Sequence, residues 1–273
     1  MIDATQPIAN AVRKHFVSLS CVQSKPNSTG RKLHLFSGFV IEILDAWFFI
    51  TAGHVVRDLR TETAAGSTFG KWRLADTISG PKFQNTAVPF EFSLDSWLVV
   101  ENESIGIDYA AIHLEDFFAR QLSVGGVTPI ARDAWADQTI DSDLWALAGT
   151  PADSVEHQDT NDVVARFVLT PLVRTEVPSE AGPKSFNQFY ARLREDSSDL
   201  IKNVEGMSGG PVISIKFDGV HLRYWIIGVQ SAWYPTTRTV CVCPFSSFAL
   251  EVEDALQDIG TNTYDAADSA GEA

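Results

Sequence analysis

Short runs in which apolar and polar residues alternate occupy most of this chain, and such alternation is the period of a half-buried β-strand. The apolar positions are rich in Val, Ile, Phe and Trp, which favour strands, and polar stretches separate the runs. The predicted strands are Val17–Val22, Leu33–Leu44, Ala46–Thr51, Phe90–Val100, Tyr109–Leu114, Asp143–Gly149, Val163–Arg174, Phe186–Leu193, Val212–Phe217, Arg223–Gln230 and Thr239–Pro244. The chain should therefore consist mainly of short strands joined by loops.

Helical signals are limited to a few short segments. They predict a helical turn over His54–Leu59, a helix over Leu114–Gln121 and a last helix over Ser246–Leu256. Ser246 or Ser247 would cap the last helix. Because strands and helices do not alternate as in β-α-β proteins, the expected fold class is all-β, a sandwich or a barrel.

Charge narrows the classes of partner. The 273 residues carry a formal net charge of −14, whereas 45% apolar and 21% charged residues are ordinary for a globular protein. An acidic surface has few basic groups that could displace counterions from phosphates, so neither nucleic acid nor an anionic membrane is an expected partner. The stretch 261–273 is small and acidic, which predicts a disordered tail.

The three cysteines, Cys21, Cys241 and Cys243, do not suggest a disulfide framework. Cys241 and Cys243 would point to the same face of one strand, where a bridge between such close neighbours would be strained. A zinc site needs about four ligands, so a C-x-C pair does not indicate a metal. The prediction is buried thiols in a reducing compartment, with no metal and no cofactor.

The amino-terminal residues do not resemble an export signal. The stretch MIDATQPIANAVRKHF lacks a basic start followed by an apolar core of about 7–15 residues. No stretch approaches the roughly 20 apolar residues of a membrane helix. We therefore expect a cytoplasmic location.

The segment Asn203–Ser214, with the sequence NVEGMSGGPVIS, concentrates Gly and Pro around Ser208. Such a composition suits neither a helix nor a strand interior. Three interpretations are open at this point: a tight turn that contains a serine, the G-x-S-x-G nucleophile elbow of an α/β-hydrolase, or the nucleophile turn of another hydrolase fold.

A serine hydroxyl is a weak nucleophile until a base removes its proton, and that base is usually a histidine oriented by a carboxylate. His54 lies in FFITAGHVV, where an apolar strand ends and the histidine begins a helical turn. His113 alternates with apolar neighbours and should point outward. The remaining histidines occupy polar or surface-like contexts and are His15, His34, His157 and His221. His54 is therefore the candidate base.

Asp108 is the candidate acid. It lies in GIDYAAIHL, directly before an apolar strand, and a carboxylate entering a core strand is costly unless it is hydrogen-bonded. An imidazole N–H would supply such a bond. The alternative is a turn aspartate that only caps the strand.

Together, FITAGHVV, GIDYAAIHL and GMSGGPVIS resemble the chymotrypsin/trypsin-like serine peptidases. They match the family's Thr-Ala-x-His, Asp-Ile/Leu-Ala and Gly-x-Ser-Gly-Gly-Pro segments. His54, Asp108 and Ser208 follow in the family's order, at intervals of 54 and 100 residues. An α/β-hydrolase would place its acid and histidine after the serine, and only His221 follows Ser208.

The resemblance implies a fold and a set of roles. The fold would be two six-stranded antiparallel β-barrels with the active site between them and a short C-terminal helix. A peptidase domain would span 1–260, with barrels over about 1–125 and 126–260. His54 would be the general base, Asp108 its orienting acid and Ser208 the nucleophile. The backbone N–H groups of Gly206 and Ser208 would form the oxyanion hole.

By the same resemblance, four residues would bind substrate or support the site. Ser231 would support Asp108, and Ala232 and Trp233 would flank the substrate backbone as an added strand. Lys202 lies near the usual floor of the specificity pocket, which argues against a preference for Lys or Arg. Gln230 occupies the position where glutamate-specific relatives often place a histidine.

One departure from the family concerns activation. Secreted members carry an aspartate before the serine, which pairs with a new amino terminus released by zymogen cleavage. Here that residue is Met207, and no Ile-Val-Gly-Gly-like start is present. The chain is therefore more similar to intracellular bacterial members, including the high-temperature-requirement type, but as a stand-alone domain without a PDZ domain.

Three hypotheses of function follow. The first is a serine endopeptidase that cleaves a protein or peptide substrate and is controlled by a regulatory protein partner in bacterial stress or defence. The second is a latent or non-catalytic binding or scaffold protein of the same fold. The third keeps the enzyme and changes its substrate to an ester or to one dedicated protein.

Overall fold

The computed structural model describes residues 5–26, 28–76, 87–137, 142–157, 163–182, 187–194, 201, 203–218 and 221–270. Its helices are α1 (Thr5–Arg13), α2 (Gly53–Ala64), α3 (Asp116–Val124) and α4 (Phe245–Ala270). Its strands are β1 (Phe16–Ser24), β2 (Arg31–Ile43), β3 (Ala46–Thr51), β4 (Thr68–Asp76), β5 (Val88–Pro89), β6 (Leu98–Asn102), β7 (Ile107–Leu114), β8 (Leu144–Gly149), β9 (Val155–His157), β10 (Val163–Ala165), β11 (Val168–Thr175), β12 (Phe189–Leu193), β13 (Pro211–Asp218), β14 (His221–Tyr234) and β15 (Thr239–Pro244). The all-β class predicted from the alternation is confirmed.

The strands up to β7 form one antiparallel sheet, which we call the N-terminal half. The strand order is β5-β4-β1-β2-β3-β7-β6. Phe49, Val40 and Leu19 are fully buried in one apolar cluster of this half. β3 pairs with β7, with Thr51 opposite Ala110, so the end of β3 lies beside the start of β7.

The later strands form the C-terminal half. Six of them close into a barrel in the order β11-β12-β15-β14-β13-β8, while β9 and β10 form a separate two-stranded ribbon. Met207, Val212 and Ile227 are fully buried in the apolar cluster of this barrel. A closed barrel leaves none of its strands as an unpaired edge, which explains why short strands suffice.

The N-terminal half differs from the predicted six-stranded barrel. It has seven strands, and no pairing within the described ranges joins β5 to β6. The additional strand β4 escaped prediction because Gly70, Lys71 and Arg73 interrupt its apolar alternation. The second predicted barrel, by contrast, is present with the expected six strands.

The helices also differ from the prediction. α1 was not predicted, and α4 begins at Phe245, so neither Ser246 nor Ser247 precedes its first turn. α4 runs to Ala270 and therefore enters the stretch 261–273 that its composition predicted as disordered. Alanine has the highest helix propensity, and three alanines lie between 266 and 270.

The two halves share one continuous apolar cluster. It contains Phe39 and Tyr109 from the N-terminal half and Ile213 from the barrel. α4 lies against both halves, with the ring of Phe245 at 5.2 Å from that of Phe39. A shared core of this kind holds the end of β3 at a fixed position relative to the barrel.

Candidate active site

His54 and Asp108 form a doubly hydrogen-bonded pair. The backbone N–H of His54 donates to Asp108 Oδ1 at 2.7 Å, and His54 Nδ1 lies 2.8 Å from Asp108 Oδ2. A Cβ atom at Gly53 would lie 3.1 Å from Asp108 Oδ1. Glycine before the histidine therefore permits this close approach, and the carboxylate fixes Nδ1 as the protonated nitrogen, which leaves Nε2 as the basic one.

Ser231 is the third donor to Asp108. Its hydroxyl donates to Asp108 Oδ2 at 2.5 Å. The register between β14 and β15 shifts between Gln230 and Ala232, so Ser231 is the extra residue of a β-bulge. Because a bulge redirects a side chain, it explains how a barrel strand supplies a hydroxyl to an acid of the other half.

The pair perturbs both titrations. Burial disfavours the imidazolium, but the hydrogen bond and charge of Asp108 outweigh it and raise the pKa of His54. Burial alone would raise the pKa of Asp108, but bonds from His54 and Ser231 hold it below its usual value. Asp108 is therefore an anion at neutral pH that stabilises a proton on His54.

The Ser208 turn lies against the end of β3. Gly209 has φ +85°, and a Cβ atom there would lie 2.0 Å from Thr51 Oγ1 and 2.7 Å from the backbone N of Ala52. Only glycine allows this contact, which brings Ser208 to the strand end that directly precedes His54. Among the hydrogen bonds of the described residues, none joins the Ser208 hydroxyl to His54.

The backbone N–H groups of this turn divide into two sets. Those of Met207, Gly209 and Gly210 donate to backbone carbonyls at 2.8–2.9 Å. Within the described part of the chain, those of Gly206 and Ser208 donate to no acceptor. These two N–H groups belong to Ser208 and to the residue two positions before it, the pair that the resemblance to serine peptidases implies for an oxyanion hole.

The orientation of the peptide before Gly206 supports this. The carbonyl of Glu205 accepts from the backbone N–H of Ala152 at 2.7 Å, so it points toward Ala152. Since a trans peptide directs its N–H opposite to its carbonyl, the Gly206 N–H points to the other side. Gly206 has φ +85°, a conformation that favours glycine.

Ser37 is a structural support that the sequence did not reveal. Its hydroxyl donates to the Gly206 carbonyl at 2.7 Å and accepts from the Thr150 N–H at 3.0 Å. Thr51 Oγ1 donates to the Ser37 carbonyl at 2.9 Å. A small polar residue directly after Phe36 in β2 was the available signal, but the partners of its hydroxyl lie more than a hundred positions away.

The remaining predicted positions divide between the core and an open strand edge. Met207 is fully buried in the barrel core, against Gly149. Ala232 and Trp233 are half-buried and pair with β15 on one side, and no other described strand pairs with them because the pairing of β14 with β13 ends at Val229. Lys202 lies outside the described residues.

Gln230 brackets the nucleophile turn. Its carbonyl accepts from Gly209 N at 2.9 Å and its N–H donates to Gly210 O at 3.0 Å. Its side chain is buried, and among the described residues its Oε1 has no hydrogen-bond partner. Gln230, at the position where glutamate-specific relatives often place a histidine, is therefore bonded to the two residues that follow Ser208.

Two histidines differ from their predicted surface contexts. His15 is buried, with Nδ1 2.6 Å from the Thr128 carbonyl and Nε2 2.7 Å from the Tyr224 hydroxyl, and burial lowers its pKa to about 4. His34 is half-buried and lies 2.8 Å from Gln23 Oε1. Both have structural partners away from Ser208. His113 is exposed, as predicted.

Neither a metal centre nor a membrane helix is found among the described residues. They contain no group of three or more His, Cys, Asp or Glu side chains that could hold a metal ion. No helix in the described ranges is long and apolar enough to span a bilayer. None of the three cysteines forms a disulfide bond, and all three are buried.

The chain matches no protein-family model and no curated protein. Similar solved structures include a protease from M. tuberculosis in its active form, with 17% identity over 87% of this chain and 79% of that chain and a TM-score of 0.46. They also include the protease Anisep from Arthrobacter nicotinovorans (12% identity, 85% and 90% of the two chains, TM-score 0.46) and a Glu endopeptidase (14%, 88% and 90%, 0.48). All three are proteases, but at these values the likeness assigns no residue a role.

Proposed function

We propose that the chain is a serine endopeptidase of the chymotrypsin/trypsin-like type, with His54, Asp108 and Ser208 as its catalytic triad. The observation that carries the proposal is the combination of a histidine fixed by a buried carboxylate with a serine turn in which the N–H groups of Gly206 and Ser208 bond to no other described residue. The two halves would be the two barrels of this family, over about 1–125 and 126–260, in one domain of residues 1–260.

In this mechanism His54 Nε2 takes the proton of the Ser208 hydroxyl as its oxygen attacks the scissile carbonyl carbon. The negative charge that forms on the carbonyl oxygen is stabilised by the N–H groups of Gly206 and Ser208. His54 then protonates the leaving amine, and a water molecule hydrolyses the acyl-enzyme by the reverse proton path. Asp108 stays ionised and stabilises the imidazolium throughout.

The substrate would bind as an added strand. Ala232, Trp233 and Tyr234 pair with β15 on one edge, and among the described strands none pairs with them on the other edge, next to the Ser208 turn. An extended peptide placed there would direct its scissile bond toward Ser208, with Ala232 and Trp233 beside its backbone. Peptides, rather than small esters, fit an edge of this length.

A fluorophosphonate probe tests the assignment, since it reacts only with an activated serine. The wild type should be labelled at Ser208, and Ser208→Ala should not be. Ser214→Ala, a buried serine of β13, is the matched control and should be labelled as the wild type is. Absence of labelling in the folded wild type, with or without cell lysate, contradicts the proposal.

A latent protein of the same fold is the second candidate. The observation that favours it is the lack of a hydrogen bond between Ser208 and His54 within the described residues. Such bonds are often absent before substrate binds, which is why the active enzyme is preferred. Labelling that appears only after lysate is added would favour latency and a regulatory partner, as expected for a protease acting in the bacterial cytoplasm during stress or defence.

A further inference from the structure

Asp108 follows the hairpin turn between β6 and β7. Residues 102–104 of the turn are exposed. Gly106 N–H donates to the Asn102 carbonyl at 2.9 Å, the Ser104 hydroxyl donates to Asn102 Oδ1 at 2.7 Å, and the exposed Glu103 carboxylate lies 3.6 Å from the Arg57 guanidinium of α2. Exposed hairpin tips move more than the strands they connect. Asp108 therefore needs a further contact that fixes the turn from outside.

Two donors from the C-terminal half supply that contact. Gln188 Nε2 donates to the Gly106 carbonyl at 2.6 Å, and Cys243 Sγ lies 3.3 Å from the same oxygen. A Cβ atom at Gly106, which has φ +87°, would lie 2.7 Å from Gln188 Cδ. The Gln188 side chain therefore packs directly on the turn that precedes Asp108.

The orientation of the Gln188 amide is fixed by a second bond. The Tyr190 hydroxyl donates to Gln188 Oε1 at 3.4 Å, so the amide nitrogen faces Gly106. On the other flank of Asp108, the Tyr109 hydroxyl donates to the Pro244 carbonyl, and the Tyr109 ring stacks on Phe248 at 4.6 Å. The C-terminal half thus holds the chain both before and after Asp108.

We propose that Gln188 is a positioning residue for Asp108. The effect of this positioning on catalysis rests on the proposed function. By fixing the Gly106 carbonyl, Gln188 holds the Asp108 carboxylate at the distance and angle at which it binds Nδ1 of His54. Through that bond Asp108 raises the basicity of His54. Loss of Gln188 should therefore lower the pKa of His54 as well as the rate.

The test variant is Gln188→Leu, which keeps most of the side-chain volume and removes the donor. Its kcat should fall on the order of tenfold, since small misplacements of catalytic groups cost this much or more, while KM stays unchanged. The acid limb of its pH–kcat/KM profile should move to lower pH. Cys243→Ala, which removes the longer contact, should move both readouts in the same direction by less.

Tyr224→Phe is the matched control. It removes the contacts of the Tyr224 hydroxyl with His15 Nε2 at 2.7 Å and with the Ala11 carbonyl at 3.4 Å, both of which join the halves and neither of which involves residues 106–109. Its kcat and acid limb should equal those of the wild type. If Gln188→Leu behaves as Tyr224→Phe does, the positioning role is wrong.

A second readout does not depend on peptidase activity. In a Ser208→Ala background, NMR titration of the His54 imidazole should give a lower pKa with Gln188→Leu than without it. An unchanged pKa would overturn the positioning role, whereas failure of the wild type to react with a fluorophosphonate would overturn only the proposed function. If Gln188→Leu does not fold, the same NMR titration is made with Cys243→Ala. A lower pKa of His54 supports the positioning role, and an unchanged pKa overturns it.

Discussion

The His54–Asp108 pair and the Ser208 turn meet at one place in the interface, but they differ in how fully their polar groups are bonded. Asp108 is 6% exposed and accepts bonds from the His54 backbone, the His54 ring and Ser231. The Ser208 turn leaves two N–H groups and its hydroxyl without a partner among the described residues. The first region is fully hydrogen-bonded within the protein, whereas the second presents donors that other described residues do not use.

This difference indicates how the work of the site is divided. A fully bonded acid–base pair keeps one geometry and one tautomer, so no reorganisation is needed when substrate arrives. Unbonded N–H groups beside a nucleophile stabilise charge only when a substrate oxygen reaches them. Changes to the pair should therefore alter the pH dependence, whereas changes to the turn should alter the rate alone.

The largest expected effect comes from Asp108→Asn. The amide favours the wrong tautomer of His54 and removes the charge that stabilises the imidazolium, so kcat should fall about 10⁴-fold. The acid limb should move to lower pH, because Asp108 raises the pKa of His54. The measurement is kcat and its pH profile on a peptide found by library screening. Asp95→Asn, an exposed acid of the same half, should change neither.

The second effect comes from Gly206→Ala. A Cβ atom there would lie 2.9 Å from both the Thr150 carbonyl and the Ala152 nitrogen, so the peptide must rotate and withdraw its N–H. Loss of one oxyanion donor should lower kcat about 10²–10³-fold. Gly70→Ala is the control, since its Cβ atom would meet nothing within 4 Å. If the acid limb of the pH profile of Gly206→Ala also shifts, the proposal that the turn affects only the rate is wrong.

A smaller effect is expected from Ser231→Ala. It removes one of three donors to Asp108, and a hydrogen bond to a charged group is worth about 1.5–3 kcal/mol, so kcat should fall about tenfold or somewhat more. The acid limb should move to lower pH because Asp108 is held less firmly. Ser20→Ala, at a strand serine whose hydroxyl donates to the Arg73 carbonyl, should leave both quantities unchanged.

The sequence allowed prediction of those site residues that lie in continuous motifs. His54, Asp108 and Ser208 each occupy a short segment whose glycines and apolar flanks are visible in the sequence, and the barrel strands alternate clearly. Ser37 and Gln188 lie in no such motif. Their partners, Gly206 and Gly106, are 169 and 82 positions away, and only the fold brings them together.

The limits of prediction in the fold have a similar origin. β4 was missed because Lys71 and Arg73 lie within it, and its pairing with β1 on one side and β5 on the other outweighs that weak local pattern. Residues 261–270 lie in α4, although their acidic composition resembles that of a disordered segment, and the alanines among them favour a helix.

The smallest expected effect is on the free energy of unfolding. The His54–Asp108 pair should stabilise the fold only within a limited pH range. The pKa of Asp108 is lowered from 3.8, so its contribution is complete above that value and is lost as the pH falls through the folded pKa. The pKa of His54 is raised from 6.5, so its contribution is complete below that value and is lost as the pH rises through the folded pKa.

The two contributions therefore overlap between pH 3.8 and 6.5. In a Ser208→Ala background, which prevents self-digestion, the free energy of unfolding in urea should exceed that of the Asp108→Asn double variant by about 2 kcal/mol in this window. The gap should narrow at lower and at higher pH. A gap that stays constant from pH 3 to 9 would mean that Asp108 acts as a neutral hydrogen-bond acceptor, and the electrostatic account of the pair would be wrong.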